Sequence, residues 1–268
     1  MLKHYKNQAC PALAELLTDS DAINYSVLKT ILCGQCSDIF SDGEGIILCY
    51  STAPYPVWVW VKQLQQDAVQ TVAACIREHF PLEDGFGFIA DRPLLDALKA
   101  QDGYFENTAV TLRLCSHKLE TLTEPTRTPS GRADLARPEE TELLAAMYRD
   151  MEREAEGMEL PWEMCVEKMR GFIELGHLFV WRTESGEIAA LASQDDCAPY
   201  SKISTVYTPP QHRRKGFAEA VVRHVCGAIM ADGLTPILYT DGDYAPSNAC
   251  YRKIGFRQLA ELCTVKRA

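Results

Sequence analysis

The segment at residues 206–218, V-Y-T-P-P-Q-H-R-R-K-G-F-A, constrains the fold of this chain more than any other. Apolar and β-branched residues end at a Thr-Pro-Pro turn, a basic loop with one glycine follows, and a helical pattern begins at Phe217. The first N–H groups of a helix have no partner within it, and the helix dipole adds partial positive charge there. The succession of strand, basic loop and helix therefore predicts a site for an anion such as phosphate.

Individual residues of this loop fit that interpretation. Gly216 lets the backbone approach an anion closely, and Ala218 keeps the next approach point small. Arg213, Arg214 and Lys215 supply countercharge at a helix end that otherwise repels cations. The alternative is an ordinary solvated basic turn, because short glycine motifs are weakly specific.

A second element, N-A-C-Y-R-K-I-G-F, occupies residues 248–256. If residues 246–254 form a helix, Asn248 and Tyr251 lie on one face. An asparagine can hold a polar chain, and a tyrosine with a pKa of ~10 can protonate a departing thiolate. The alternative is that Asn248 caps the helix and Tyr251 is a core residue.

Together the two elements resemble the GNAT superfamily of N-acetyltransferases. The loop pattern of that family, Arg/Gln-x-x-Gly-x-Gly/Ala, is matched by Arg213, Gly216 and Ala218. Its later pattern is matched by Asn248, Tyr251, Gly255 and Phe256. The resemblance covers residues 131–268, and its motifs lie within 203–256.

The resemblance implies acetyl-CoA as cosubstrate, no metal, and direct attack by a primary amine in a ternary complex. The loop amides of 213–218 would hold the CoA pyrophosphate, and the free edge of strand 203–208 would pair with the pantetheine arm. Tyr251 would be the general acid, and Cys250 a packing residue. The cofactor-binding residues so implied are Val206, Tyr207, Thr208, Arg213, Arg214, Lys215, Gly216, Phe217, Ala218 and Asn248.

The general base stays open at this stage. Residues 204–207 contain no carboxylate, whereas some relatives use a glutamate on this strand. Asp195, Asp196 and a chain of water molecules are the candidates. The acidic stretch 152–159 either lines an acceptor site or forms a solvated face, which is what most charge runs do.

The fold class expected from the element order is α/β (α+β). The resemblance implies a mixed, twisted sheet flanked by helices in the C-terminal domain, 132–268. The Thr- and Pro-rich stretch 121–131 is interpreted as a linker after a smaller α/β domain, 1–120. That first domain carries no phosphate loop. It is either a degenerate copy of the same fold, a cover for the acceptor site or a module for association.

Periodicity and turn residues place the individual elements. In the first half they predict strands at 45–50, 57–61, 87–90 and 108–115, and helices at 67–80 and 93–100. In the second half they predict strands at 131–136, 178–182, 187–194, 203–207 and 236–239, helices at 138–155, 163–175, 217–231 and 246–254, and one or two strands after 255.

Composition limits the partners. The net charge of -10 argues against nucleic acid, which demands a basic face, and suits a small-molecule or peptide amine. No stretch reaches the ~18 apolar residues of a membrane span, and no signal peptide is recognisable, so a cytoplasmic location is expected. A homodimer would be in keeping with the resembled family.

The 11 cysteines are scattered, and the lone Cys33-x-x-Cys36 pair reads as buried thiols rather than as a metal or redox site. Two functions fit these patterns: an acetyl-CoA-dependent N-acetyltransferase, and a non-catalytic acyl-CoA-binding sensor or partner-binding module.

Overall fold

The computed structural model describes residues 2–34, 36–125, 127–155 and 157–268, and its contacts divide the chain into two compact units. The first unit runs to His117 and includes Tyr239–Ala245 and Gln258–Ala268. The second consists of Lys118–Leu238 and Pro246–Arg257. Each unit is a mixed α/β structure, as the element order predicts. The proposed linker stays a prediction, and its residues fall in the second unit apart from Thr126, which lies outside the described residues.

The first unit opens with a polar strand and short helices that the sequence patterns did not predict. Its strands are β1 (Lys3–Gln8), β2 (Cys36–Ser41), β3 (Ile46–Tyr50), β4 (Val57–Val61), β5 (Phe88–Asp91) and β6 (Thr108–Leu119). Its helices are α1 (Pro11–Ala14), α2 (Asp19–Asn24), α3 (Ser26–Cys33), α4 (Gln66–His79) and α5 (Arg92–Gln101). Strands β1 to β4 pair antiparallel in chain order, and β4 pairs parallel with β5.

The second unit follows the predicted order closely. Its strands are β7 (Arg132–Leu135), β8 (Leu178–Arg182), β9 (Ile188–Cys197), β10 (Tyr200–Tyr207), β11 (Thr235–Asp241) and β12 (Phe256–Arg267). Its helices are α6 (Thr141–Ala155), α7 (Trp162–Glu174), α8 (Phe217–Ala231) and α9 (Ala245–Ile254). Strands β7 to β10 pair antiparallel in chain order, and β10 pairs parallel with β11. The end of β11, from Tyr239, and nearly all of β12, from Gln258, belong to the first unit.

The two units share one order of elements. In each, a strand and two or more helices precede three antiparallel strands, a helix crosses to a parallel strand, and a helix and a last strand follow. The first unit completes its sheet with β12, whose residues Leu262 to Val265 pair antiparallel with β5. The interpretation of the first half as a degenerate copy of the same fold stays a prediction.

The sheet of the second unit is buried on both faces. Along β8, Phe179 and Trp181 pack into the core beneath α8, while Leu178 and Val180 pack into a core with α6 and α7. Successive side chains of a strand point to opposite faces, so a continuous apolar strand needs helices on both sides. Each such side chain contributes about 1.5–3 kcal/mol when it is fully buried. The sheet is therefore a rigid support for the loops at its ends.

The prediction that Cys33 and Cys36 are both buried thiols is wrong for Cys33, which lies at the exposed end of α3. Cys33 is exposed, whereas Cys36 is buried and its Sγ lies 2.9 Å from the carbonyl oxygen of Ile31. Within the described ranges, no group of three His, Cys, Asp or Glu side chains has the arrangement of a metal site. None of the helices in the described part of the chain is both long and apolar enough to span a bilayer.

Candidate functional site

Strand β10 loses its neighbour before it ends. Its parallel ladder with β11 runs from Tyr200/Thr235 to Ile203/Leu238 and stops there. On the other side, the register with β9 shifts between Ser204 and Tyr207, and Thr205 has a φ of 50°. Residues 204–207 therefore have no partner strand on the β11 side within the described ladders. The backbone N–H and C=O groups on that side of the strand can pair with an extended polar chain.

The loop that follows β10 has the backbone geometry of an anion cradle. Arg214 has a φ of 63° and Gly216 a φ of 87°, and α8 begins at Phe217. The left-handed region is costly for arginine, and such outliers concentrate at binding sites. Successive residues that alternate between the two hands direct their N–H groups into a common concavity. A Cβ added at Gly216 would meet only Pro129, at 3.9 Å, so the open side of Gly216 faces away from the protein.

The amides of this cradle lack internal partners. The first backbone hydrogen bond of α8 runs from the N–H of Ala220 to the carbonyl oxygen of Gly216. Among the residues that the structure describes, the N–H groups from Arg214 to Glu219 have no acceptor. The Glu219 carboxylate, which would repel an anion here, is paired with Arg223 at 3.0 Å. The start of α8 can thus stabilise a phosphate group.

The three cations of the loop have different surroundings. Arg213 donates from Nη2 to Glu154 at 2.5 Å and from Nε to the Thr208 carbonyl at 2.9 Å. Lys215 Nζ donates to the carbonyl of Gln211 at 2.8 Å and remains exposed. Arg214 is exposed and forms no ion pair with any described residue. The charge of Arg213 is therefore largely compensated, while Arg214 and Lys215 remain available to an anion.

The residues at the end of β10 differ in burial and in the polar atoms that a ligand could reach. Val206 is half-buried against the core under α8, and Tyr207 is buried on the α6 side with its hydroxyl donating to Glu154 at 2.8 Å. Burial, and then the Glu154 carboxylate, raise the pKa of Tyr207 to about 12. The buried Oγ1 of Thr208 has no hydrogen-bond partner among the described residues. Thr208 is thus the side chain here with an unused polar atom.

Helix α9 carries Asn248 and Tyr251 as predicted from their spacing. Tyr251 is 8% exposed and shares the core of Phe217 and Ala220. Burial is the main cause that raises the pKa of its hydroxyl well above the ordinary value. That hydroxyl has no hydrogen-bond partner within the described ranges, and Asn248 is half-buried one turn earlier. Burial also raises the pKa of Cys250 to about 11, so its thiol is neutral at physiological pH.

Glu154 is a site residue that sequence reasoning missed. It was part of the acidic stretch 152–159, in which Glu156 lies outside the described residues. In the structure Glu154 ends its helix beside Tyr207 and Arg213 and contacts both. No spacing rule connects residues more than fifty positions apart, so the sequence carried no signal for this contact.

The two carboxylates considered as general bases lie on opposite faces of β9. The Asp195 carboxylate accepts a hydrogen bond from Ser204 at 3.1 Å and lies 3.4 Å from Lys202. The Asp196 carboxylate accepts from Ser201 at 2.6 Å. Because Ser204 belongs to the stretch of β10 that lacks a β11 partner, Asp195 is the one connected to the candidate cofactor edge.

The second unit has a mixed sheet, a strand β10 that loses its β11 partner after Ile203, and a glycine-containing loop at the start of α8. The chain has the fold of GNAT acetyltransferases. Solved structures with the same fold include a GCN5-related N-acetyltransferase from Sphaerobacter thermophilus, with a TM-score of 0.73, 16% identity, and coverage of 98% of this chain and 94% of that one. A GNAT-family acetyltransferase from Colwellia psychrerythraea matches with a TM-score of 0.64 and 13% identity. The match covers 99% of this chain and 100% of the Colwellia chain. A GCN5-related N-acetyltransferase from Kribbella flavida has a TM-score of 0.55, 16% identity, and coverage of 82% and 86%.

Within this fold, residues 180–265 match the family model described as FR47-like protein. The matched residues include the β10–α8 loop and α9. Curated proteins give no significant match to the sequence. The fold similarity spans the whole chain, whereas the family match is confined to the part with the candidate site.

Proposed function

We propose that the chain is an acyltransferase that moves an acetyl group from acetyl-CoA to a primary amine. The observation that carries the proposal is the set of unpaired N–H groups from Arg214 to Glu219, next to a strand edge without a partner. The amides of the cradle would hold the CoA pyrophosphate, with Arg214 and Lys215 as countercharges. The edge at 204–207 would pair with the pantetheine amides, within reach of Thr208 Oγ1 and Asn248.

The chemical step is direct transfer. The neutral amine attacks the thioester carbon, a tetrahedral intermediate forms, and the C–S bond breaks as the carbonyl is restored. The departing thiolate takes its proton from Tyr251, and the amine loses one proton to a base. Because burial keeps the pKa of Tyr251 high, its hydroxyl is protonated throughout the physiological range. No acyl-enzyme is required, in agreement with the neutral thiol of Cys250.

Asp195 is the proposed base, acting through Ser204 or a water molecule. It is partly exposed, so the proton has a route to solvent. Its hydrogen bond to Ser204 connects it to the strand segment along which the thioester arm would lie. A carboxylate there also favours a cationic acceptor in its approach to the site.

The test has two stages. Isothermal titration of the full chain with acetyl-CoA should give saturable binding, and absence of binding would refute the proposal. A thiol-release assay with a panel of amines should then detect CoA release that requires both acetyl-CoA and an amine.

A second function is a non-catalytic acyl-CoA sensor. The observation in its favour is the burial of the Tyr251 hydroxyl, because a tyrosine with a strongly raised pKa is a weak proton donor. This function predicts binding of acetyl-CoA with no CoA release for any amine of the panel.

A further inference from the structure

We propose that Glu154 positions the cofactor loop by holding Arg213, so that the arginine of the loop motif is a strut and not a phosphate ligand. This inference rests on the proposed function, because it concerns how the loop is prepared for CoA. The contacts among Glu154, Tyr207 and Arg213 are called the Glu154 bridge below. All three residues belong to the second unit.

The guanidinium of Arg213 is occupied on several sides. Its Nη2 donates to Glu154 Oε2 at 2.5 Å, and its Nε donates to the carbonyl oxygen of Thr208 at 2.9 Å. Its Cζ atom lies 5.6 Å from the centre of the Tyr207 ring, within the range of a cation–π contact. To reach a phosphate, Arg213 would have to give up a charge-assisted hydrogen bond, which is among the stronger contacts of a protein surface.

Glu154 is held equally well. Its second oxygen, Oε1, accepts a hydrogen bond from the Tyr207 hydroxyl at 2.8 Å, so both carboxylate oxygens are used. Burial raises the pKa of Glu154, but the hydrogen bonds from Arg213 and Tyr207 outweigh burial, and the pKa lies below its ordinary value. The bridge therefore stays charged at physiological pH.

The Glu154 bridge connects the start and the middle of the β10–α8 loop to α6. Tyr207 is the last residue of β10, and Arg213 directly precedes Arg214, whose φ is 63°. Holding Tyr207 and Arg213 limits the conformations of residues 208–212 and fixes the residue from which the segment 214–219 continues to α8. A binding loop that is already ordered loses less conformational entropy when its ligand arrives. The bridge thus prepares the unpaired amides of residues 214–219.

The direction in which CoA affinity changes when the Glu154 carboxylate is removed distinguishes a positioning role from a purely electrostatic one. On electrostatics alone, removing a carboxylate near an anion site should strengthen the binding of CoA, because one repulsive charge disappears. If Glu154 acts as a strut, its removal should instead weaken binding, because the loop loses its anchor. The two explanations predict changes in opposite directions.

The experiment compares CoA binding by isothermal titration for the full chain and three variants. We expect Glu154→Gln and Tyr207→Phe each to weaken CoA binding, Glu154→Gln by about tenfold, the size expected when ordering a loop adds somewhat over 1 kcal/mol to the cost of binding. The matched control is Glu152→Gln, which removes the same charge from the same helix. Glu152 forms no ion pair with any described residue. This control should change affinity by less than about twofold, because its charge is half-buried at most and holds no residue of the loop.

Two further measurements address the mechanism. Hydrogen exchange of the loop amides in the cofactor-free protein should be faster in Glu154→Gln than in the wild type. The single variant Arg213→Gln is added for a double-mutant cycle. The double variant Glu154→Gln/Arg213→Gln should bind CoA no more weakly than the weaker of these two single variants, because both changes break one contact. Thermal unfolding of each variant confirms that it is folded.

Tighter or unchanged CoA binding by Glu154→Gln would overturn the inference while leaving the proposed function intact. Tighter binding would mean that the released Arg213 reaches the phosphate. If the wild type did not bind CoA, the proposed function would fail instead. Hydrogen exchange in the cofactor-free protein would still show whether the bridge orders the loop.

Discussion

The hydroxyl of Tyr251 gives the sharpest prediction at the scale of single residues. Tyr251→Phe removes one oxygen that has no hydrogen-bond partner in the described part of the structure and leaves the packed ring in place. The affinity for acetyl-CoA should therefore stay within about twofold, and unfolding stability should hardly change. Turnover should fall by about 10²-fold or more, as expected for loss of a general acid. Turnover equal to that of the wild type would show that another group protonates the thiolate.

Asp195, the proposed general base, has a matched control in its neighbour on β9, Asp196. Asp195→Asn should lower kcat/KM by about 10²-fold near neutral pH, and the loss should diminish as pH rises and the free amine becomes abundant. Asp196→Asn removes the same charge from the opposite face and should leave the pH profile unchanged. Profiles of kcat/KM between pH 6 and 10 distinguish the two positions. An equal effect of both substitutions would indicate a general electrostatic role and not a base.

The sequence could predict where a residue lies within its own element. The positions of Gly216 before α8 and of Tyr251 on α9 follow from local spacing, because a helix start and an i, i+3 pair are local properties, and their roles stay predictions. The contact between Glu154 and Tyr207 could not be predicted, because it joins a helix to a strand fifty residues away. The buried Oγ1 of Thr208, which has no hydrogen-bond partner among the described residues, could not be predicted either, since side-chain burial depends on the packing of the whole unit.

At the scale of elements, the substitution Gly216→Ala tests whether the start of α8 binds a phosphate group. Gly216→Ala introduces a Cβ that meets no protein atom closer than Pro129 at 3.9 Å, so it perturbs chiefly φ and the approach to a ligand. Stability should fall by about 1 kcal/mol, the usual cost of a left-handed alanine. CoA affinity should fall by at least about tenfold, because the methyl group occupies the space that an anion needs.

The control for Gly216 lies at the other end of the same helix. Gly233 also has a positive φ, 75°, and open space around its Cα. Gly233→Ala should cost the same stability and leave CoA binding unchanged. Titration calorimetry and urea unfolding of both variants therefore separate backbone strain from ligand contact. Equal losses of CoA affinity in the two variants would argue against a phosphate at Gly216.

Arg223 connects α8 to the end of α9. Its guanidinium donates to the carbonyl oxygens of Thr123 and Lys253 and to Glu219, and the residue is 9% exposed. Arg223→Ala would leave these acceptors and the Glu219 carboxylate buried without a donor. We expect a loss of about 3 kcal/mol in unfolding free energy, as is usual for breaking a buried ion pair. Urea unfolding measures it, and a loss below about 1 kcal/mol would show that water replaces the arginine.

The strand and helices that the sequence patterns did not predict have weak local signals. Strand β1, K-H-Y-K-N-Q, is polar along its length and mostly exposed, so it lacks the alternation by which strands are recognised. Helices α1 to α3 are short, and the residues before them make no side-chain cap hydrogen bond. By contrast, α8 is apolar around much of its circumference and is followed by Asp232 and Gly233, and its predicted bounds match the structure. Strong local signals thus identified the elements of the site.

At the scale of the whole molecule, the repeated order of elements raises the question of a second cofactor site. In the first unit, the position of the β10–α8 loop is taken by residues 62–65, between β4 and α4. This connection, K-Q-L-Q, is short and has no glycine. In the first half the sequence patterns predicted the order of elements from β3 to β6, whereas the strands and short helices before β3 were not predicted. The completion of the first unit by β12 was not predicted either, because strand pairing between distant segments leaves no local pattern.

The first unit should not bind CoA, and the full chain should therefore bind one molecule. A cleft of about 490 Å³ lies beside the start of α4, but Asp42, Glu44 and Asp67 line it together with Lys62. Asp42 is fixed there because its Oδ1 accepts the N–H groups of Glu44 and two following residues. An excess of carboxylates repels the phosphates of CoA, whereas the β10–α8 loop attracts them. Titration of the full chain should give about one CoA per chain, and Gly216→Ala should weaken that whole signal. A stoichiometry near two, or a second class of sites that persists in Gly216→Ala, would mean that the first unit has kept a cofactor site built without a glycine loop.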